Sequence, residues 1–413
     1  MNTALKDFAK KKFPDSKSDL FAMFIERGFA WCKDSGFNSM VTMQSWMFLS
    51  SYEAMREKLL QDRTLSCMVH MGNGVMGIAF GTAATVMLNN HISNYAGSFS
   101  YCENDDVNEF GIPKQFPVQN ERLKTAKPDD FKKIPGSPIA YWVSASIIKA
   151  FQCEKLSDFA ETRLGMATAD NNKFLRLWFE IDFLKVFLTA ESRLEASTSK
   201  CKWFPYQKGG EFKKWYGNLD YLVNWENDGY EIQNFLDFKT GKVRSHNYNL
   251  DYIFKEGVTW NALSSSSTSA RVSKNSLFDN AGSSLFGKNK TENHSLLALL
   301  NSCMINSLIK AISPTLNYQP GDISKLPIVL DSRQKQSIFS NVDNLIVNAK
   351  TNWNFYETSW DFTQNPIIRT QQLNLEQAFN VWQQKNADAV AEMKRLEEEN
   401  NKLFIDAYGL QDE

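Results

Sequence analysis

Asn38-Ser39-Met40-Val41-Thr42-Met43, Thr64-Leu65-Ser66-Cys67-Met68-Val69-His70 and Gly81-Thr82-Ala83-Ala84-Thr85-Val86-Met87-Leu88 are three short apolar runs, each of a length and composition suited to a buried strand. Between the first two, Ser51 to Leu60 has the texture of a helix. Ahead of them, Ser18-Asp19 stand as a cap before Leu20 to Trp31, whose apolar residues recur at helical spacing, and Gly36 ends the turn that follows. Strands joined by a helix of this length predict a partly parallel sheet covered on both faces. Residues 1–110 therefore read as half of a doubly wound α/β domain.

Outward from this core the texture changes. From about Glu103 the chain turns to loops, prolines and aromatic-rich short strands, with helical patches at 141–151 and 294–312. Residues 111–330 are accordingly read as α+β, with the serine run Ser264 to Thr268 as an exposed loop. Residues 331–413 read as helical. In the last helix Phe379, Trp382, Val390, Met393, Leu396 and Leu403 fall roughly on one face, which predicts an amphipathic helix in need of a partner surface. Sustained heptads are lacking, so a coiled coil is not expected.

Composition sets outer limits. A chain of 413 residues can bury two or three cores, and 43% hydrophobic with 23% charged content is that of an ordinary globular protein. No run approaches the roughly 18 apolar residues of a membrane span, and Met1 to Asp19 carry no signal-peptide pattern, so a cytoplasmic protein is expected. The six cysteines are far apart, which argues against a metal centre or a disulfide framework and for small buried hydrophobes. The four histidines make neither H-x-E nor H-E-x-x-H, so hydrolase and metalloenzyme readings lack support. Net charge is −1, so any contact with nucleic acid must come from local basic patches.

Six ordered blocks carry a more specific signal: KSDLFAMFIER (17–27), IPGSPIAYW (134–142), GMATADNNKFLRLW (165–178), KWFPYQKGGEFKKWYGN (202–218), SPTLNYQPGDISKLPI (313–328) and ETSWDF (357–362). Together they resemble the PglX-type adenine-specific DNA methyltransferases of the BREX phage-exclusion systems. The resemblance implies the C-terminal half of a doubly wound methyltransferase sheet over 1–110, a DNA target-recognition domain over 111–330, and a helical spacer with an amphipathic helix over 331–413. GDISKLPI followed by a helix near Arg333 also resembles the end of a recognition domain in restriction-modification specificity subunits.

Family chemistry depends on a glycine-rich turn that holds S-adenosylmethionine and an NPPY-type motif that holds an extruded adenine. Neither is found in usable form. The Asn365-Pro366 pair is followed by Ile-Ile, and Gly72 to Gly77 spells G-x-G-x-x-G but leads into a strand-like run rather than a helix. The chain is thus expected to be truncated relative to the family at both ends, to have no catalytic or cofactor-binding residues of its own, and to be inactive alone.

What remains is recognition. The Phe80-Gly81-Thr82 turn resembles the place where related enzymes set an aromatic ring against the extruded base, and Ser45 with Trp46 follows a strand end where α/β sheets bind ligands. Both Phe80 and Trp46 have core packing as the alternative. Lys202, Lys208, Lys213 and Lys214 interleave with Trp203, Trp215 and Tyr216 around Gly209-Gly210, a pattern suited to phosphates and bases; the alternative is a solvated hairpin with its tryptophans in the core. Asn171, Lys173 and Arg176 form a second polar cluster and Asn317 with Gln319 a third, of residue types that can read base edges. The expected partner is double-stranded DNA. Three roles fit these residues: a recognition fragment, a half-enzyme completed by a catalytic N-terminal partner, or a non-catalytic DNA-binding protein or recombination cassette.

Overall fold

A computed structural model describes residues 1–115, 121–262, 267–314 and 317–411. They fall into two compact units, Met1–Cys153 with Lys310–Pro314, and Glu154–Ile309 with Thr315–Glu413. The first unit continues to Cys153 rather than ending near residue 110, because the strand Leu123–Ala126 and the IPGSPIAYW block both pack into it. No single helix among the described residues is long and apolar enough to cross a membrane.

Unit 1 is built on α1 (Thr3–Lys12), α2 (Leu20–Trp31), α3 (Glu53–Asp62) and a sheet of β1 (Phe37–Met43), β2 (Thr64–Met71), β3 (Thr82–Leu88), β4 (Gly97–Cys102) and β5 (Leu123–Ala126). The three runs that open the sequence reading are β1, β2 and β3. Asp19 caps α2 by accepting from the Leu20 amide. Strand order is β1-β3-β2-β4-β5. β3 is antiparallel to both β1 and β2, β4 runs parallel to β2, and β5 returns antiparallel. β1, β2 and β4 thus share one direction, with β3 inserted between the first two.

The sheet is not evenly covered. Helices α2 and α3 close one face over a core of Ile25, Phe29, Trp46, Met55, Leu59, Met68, Met87, Phe99 and Tyr141. The other face keeps only the small cluster of Met71, Val75 and Cys102. In β1 the residues pointing away from the core, Phe37 and Val41, are 62% and 59% exposed. The expected two-sided cover is therefore corrected to one full side and one thin one. Arg56 of α3 locks the core to the loop that follows: its guanidinium donates to the carbonyls of Trp46 (2.8 Å), Leu49 (2.6 Å) and Gly136 (2.7 Å).

Unit 2 holds two four-stranded sheets, ordered β11-β10-β13-β6 and β12-β8-β9-β7. Their strands are β6 (Ala160–Arg163), β7 (Leu175–Leu177), β8 (Trp203–Gln207), β9 (Tyr221–Asn224), β10 (Gly257–Trp260), β11 (Ala270–Ser273), β12 (Leu277–Phe278) and β13 (Ser284–Gly287). Helices α4 (Lys290–Asn301), α5 (Ser332–Trp353) and α6 (Leu375–Tyr408) complete it. α6 buries Leu396, Asn400, Phe404 and Tyr408 in its second half, whereas Phe379 and Val390 are 43% and 61% exposed. The second half packs mainly on α5, while the first half buries Ala378 beside the Ile368–Thr370 turn and leaves much of its apolar face exposed.

Two smaller expectations change. Thr268 is buried and donates to Leu300 O, so the serine loop is anchored at that end, while Ser264–Ser266 lie outside the described residues. Among the cysteines only Cys102 is buried.

Candidate nucleic-acid interface

The carboxyl ends of parallel strands are where open α/β sheets leave room for a ligand. In unit 1 the ends of β1, β2 and β4 open into a cleft of about 830 Å³, lined by Gln44, Phe48, His70, Gly72, Asn73, Tyr101, Glu121, Arg122, Lys124, Tyr141, Trp142, Lys310 and Pro314. Its floor is a hydrogen-bonded chain. His70, near the end of β2, meets the Tyr141 hydroxyl through Nδ1 (3.1 Å) and the Gln44 carbonyl oxygen through Nε2 (2.5 Å).

Burial lowers the His70 imidazole from 6.5 to about 4 and holds the Tyr141 hydroxyl well above its ordinary value. A protonated phenol donates to Nδ1, which leaves Nε2–H to donate to Gln44. The floor is thus neutral near pH 7, with its polar atoms aligned. Gln44 is itself fixed by the close approach of Gly81, where any Cβ would fall 2.4 Å from its amide.

Tyr101 and Trp142 pack their rings against His70 at 4.8 and 6.4 Å. At the rim Arg122 is held by Glu103 (2.6 Å) and Asp106 (2.8 Å), while Lys124 and Lys310 are exposed. Planar rings and amides below cations offer a stacking platform with phosphate partners.

Sequence reasoning pointed to this strand end through Ser45 and Trp46 but missed the residues that line the cleft. A lone histidine at a strand end carries no pattern, and Lys124 and Lys310 are far apart in the chain. Phe80, half exposed, adjoins Gly81 but does not line the cleft. Trp46 is a core residue, 1% exposed.

In unit 2 the 202–218 segment forms β8 and the loop beyond it, and its charges are largely engaged. Lys202 pairs with Glu226 (3.4 Å), Lys208 with Asp279 (3.8 Å) and Lys214 with Glu397 of α6 (3.0 Å). Trp215 is corrected from a surface ring to an interior one. It is 2% exposed, with its indole N–H donating to Glu397 Oε1 at 2.6 Å, and Trp203 is buried as well. Lys213 is exposed and its backbone carbonyl accepts from the buried Arg271.

In the second cluster Asn171 and Lys173 lie on a one-turn helix, Asn171–Phe174, capped by Asp170, and Arg176 lies in β7. Asn171 is exposed and meets the Thr168 hydroxyl; Lys173 pairs with Glu231 (3.0 Å); Arg176 donates to backbone carbonyls and lies over Trp203. Asn317 and Gln319 are exposed and bonded to each other at 2.6 Å.

The G-x-G-x-x-G stretch is a loop between β2 and β3, with Gly74 and Gly77 at φ +88° and +69°. β3 follows it, so no helix N-terminus points at its backbone, and these residues do not fit the pyrophosphate or methionine end of a nucleotide cofactor.

Comparison with known proteins adds relatives to this geometry. A family model described as the Eco57I restriction-modification methylase matches residues 1–76. The chain is 37% identical over 431 aligned residues to the adenine-specific methyltransferase PglX of Lacticaseibacillus casei (strain Zhang), a match covering all of this chain and 35% of that protein. It is 40% identical over 377 residues to the adenine-specific methyltransferase BrxX of Escherichia coli O9:H4 (strain HS), covering 89% of this chain and 29% of that one. The chain thus spans about a third of the length of the curated relatives it matches. Among solved structures, the Type IIL restriction-modification enzyme MmeI, determined in complex with DNA, aligns with a TM-score of 0.58 at 11% identity, over 100% of this chain and 53% of that one. At that identity the likeness concerns the fold alone. By sequence, along its whole length, the chain belongs to the family of the PglX and BrxX adenine-specific methyltransferases.

Proposed function

We propose that this chain serves DNA target recognition for site-specific N6-adenine methylation in a phage-defence system and does not transfer methyl groups by itself. The observation that carries the reading is the unit 1 cleft, where neutral His70, Gln44 and the rings of Tyr101 and Trp142 lie below exposed Lys124 and Lys310. Such a cleft suits a nucleotide of a DNA strand, its base against the rings and its phosphate at the lysines. In unit 2, Lys213, Asn171, Asn317 and Gln319 are exposed, on a surface that a duplex can approach. Lys202, Lys208, Lys173 and Lys214 reach a phosphate only by exchanging a carboxylate for it.

S-adenosylmethionine belongs to the family's reaction, but the glycine turn of this chain ends in a strand, so the reading includes no cofactor binding by the chain alone. Titration calorimetry with S-adenosylmethionine is expected to give no heat of binding; micromolar affinity overturns that part. A duplex-binding assay across salt concentrations is expected to give a linear fall of log K with log salt, and Lys124→Ala with Lys310→Ala is expected to reduce the slope by roughly 0.9 for each phosphate lost. An unchanged slope removes the cleft from the interface.

The open edge of β1 favours a second reading. β1 pairs only with β3 among the described residues, and Phe37 and Val41 are exposed on it. A polypeptide carrying the catalytic motifs and adding a strand there makes a working enzyme in two pieces. Methylation that appears only on mixing with the N-terminal part of a PglX relative distinguishes this reading from the first.

A further inference from the structure

A short hairpin in unit 2 combines features that the chain shows in no other segment discussed above. Leu236 and Val243 form an antiparallel bridge. Inside it, the Asp237 amide donates to Lys242 O and the Gly241 amide to Asp237 O, each at 2.8 Å, with Gly241 at φ +65°. The Asp237 carboxylate turns back into the loop and accepts from the Lys239 and Thr240 amides (3.1 and 2.8 Å) and from the Thr240 hydroxyl (2.9 Å). The turn is therefore preorganised, and its one negative charge is spent inside it.

What the turn presents outward is one ring among cations. Phe238 is 89% exposed with Lys239 Nζ 5.5 Å from its ring, and Lys242 and Arg244 are exposed on the same hairpin, Arg244 over the Phe235 ring at 4.9 Å. Single exposed hydrophobic side chains are common; what sets Phe238 apart is a preorganised turn that holds the ring beside a cation. The base of the hairpin is equally fixed. His246 exchanges backbone hydrogen bonds with Ala167 (2.8 and 2.9 Å), and Phe235 packs on the buried Phe174 at 5.2 Å. Lys173 lies 4.7 Å from the Phe235 ring, so the hairpin rises beside the Asn171–Lys173 cluster.

We propose that the 236–244 hairpin enters a groove of duplex DNA, with Phe238 wedged against a base step and Lys239, Lys242 and Arg244 on the neighbouring phosphates. This rests on the reading of the chain as a DNA-recognition protein and adds its mode of contact. Apolar side chains on basic, rigid elements unstack base steps in this way, and the cost of unstacking is offset by contacts on either side. A duplex offers both partners at once, a base step for the ring and phosphates for the cations.

The test uses the 413-residue chain and duplexes carrying 2-aminopurine at successive positions of a bound site. The native chain is expected to raise the fluorescence at one step. Phe238→Ala is expected to abolish that rise and weaken binding roughly 5- to 100-fold, while Phe238→Trp restores both. Lys239→Ala, Lys242→Ala and Arg244→Ala together are expected to lower the salt slope by about 2 to 3. Because every substituted side chain is exposed, circular dichroism and the unfolding midpoint should not move. Tight binding by the native chain with no fluorescence change at any step and no effect of Phe238→Ala overturns the wedge while leaving DNA recognition standing. Absence of any duplex binding by the native chain overturns both.

Discussion

Two buried residues show how much single side chains decide here. His70 is neutral when folded because burial lowers it from 6.5 to about 4. A base whose folded pKa lies below its unfolded value takes up a proton on unfolding, so its contribution is complete above about pH 6.5 and is lost as pH falls toward 4. The full difference is ~3 kcal/mol. Between pH 7.5 and 4.5 the native chain is expected to lose that much more stability in urea than His70→Gln, which does not titrate; parallel losses would refute the assignment. Arg56 makes a complementary case, since its guanidinium satisfies three backbone carbonyls in the interior of unit 1. Arg56→Met keeps most of the volume and strands those acceptors, so a loss of about 3 kcal/mol or more is expected by denaturant unfolding. Neither role is readable from sequence. An arginine in a helix and a histidine in a strand take their meaning from loops 80 and 71 residues away.

At the level of elements, the boundaries of β1, β2, β3 and α2 were legible because short apolar runs and a capping Asp are local signals. The order β1-β3-β2 was not, since pairing joins residues that local patterns do not connect. The 202–218 segment shows a different limit. Aromatics alternating with lysines suit a DNA surface, yet the same pattern serves a loop clamped to a helix, and Glu397, which decides between them, is 182 residues from Trp215. Glu397→Ala strands the buried indole N–H and frees Lys214. It is expected to cost about 1–3 kcal/mol and to speed amide exchange at Lys213–Tyr216; unchanged exchange would show that the helix does not hold the loop. The hairpin at 236–244 was not singled out in the sequence, and the exposure of Phe238 comes only from the fold around it.

For the molecule as a whole, the family was legible in six blocks because unusual sequences in a fixed order are hard to match by chance, and the relatives of the full chain agree with them. The start of unit 2 is tied to chain made much later: Leu156 N donates to Leu326 O and Ile328 N to Glu154 O, both at 2.8 Å, and β6 pairs with β13. Those contacts bear on how the protein is made. A ribosome adding about 5 to 20 residues per second needs roughly 10 to 35 s to pass from Glu154 to Ile328. β6 waits until β13 at Ser284–Gly287 has been made, Glu154 and Leu156 wait for the whole interval, and folding of unit 2 is slow to start because these contacts are so distant in sequence. Chains released early are expected to be the ones chaperones hold, and nascent-chain proteolysis should show protection of 160–163 appearing only after residue 287 has emerged and of 154–156 only after residue 328.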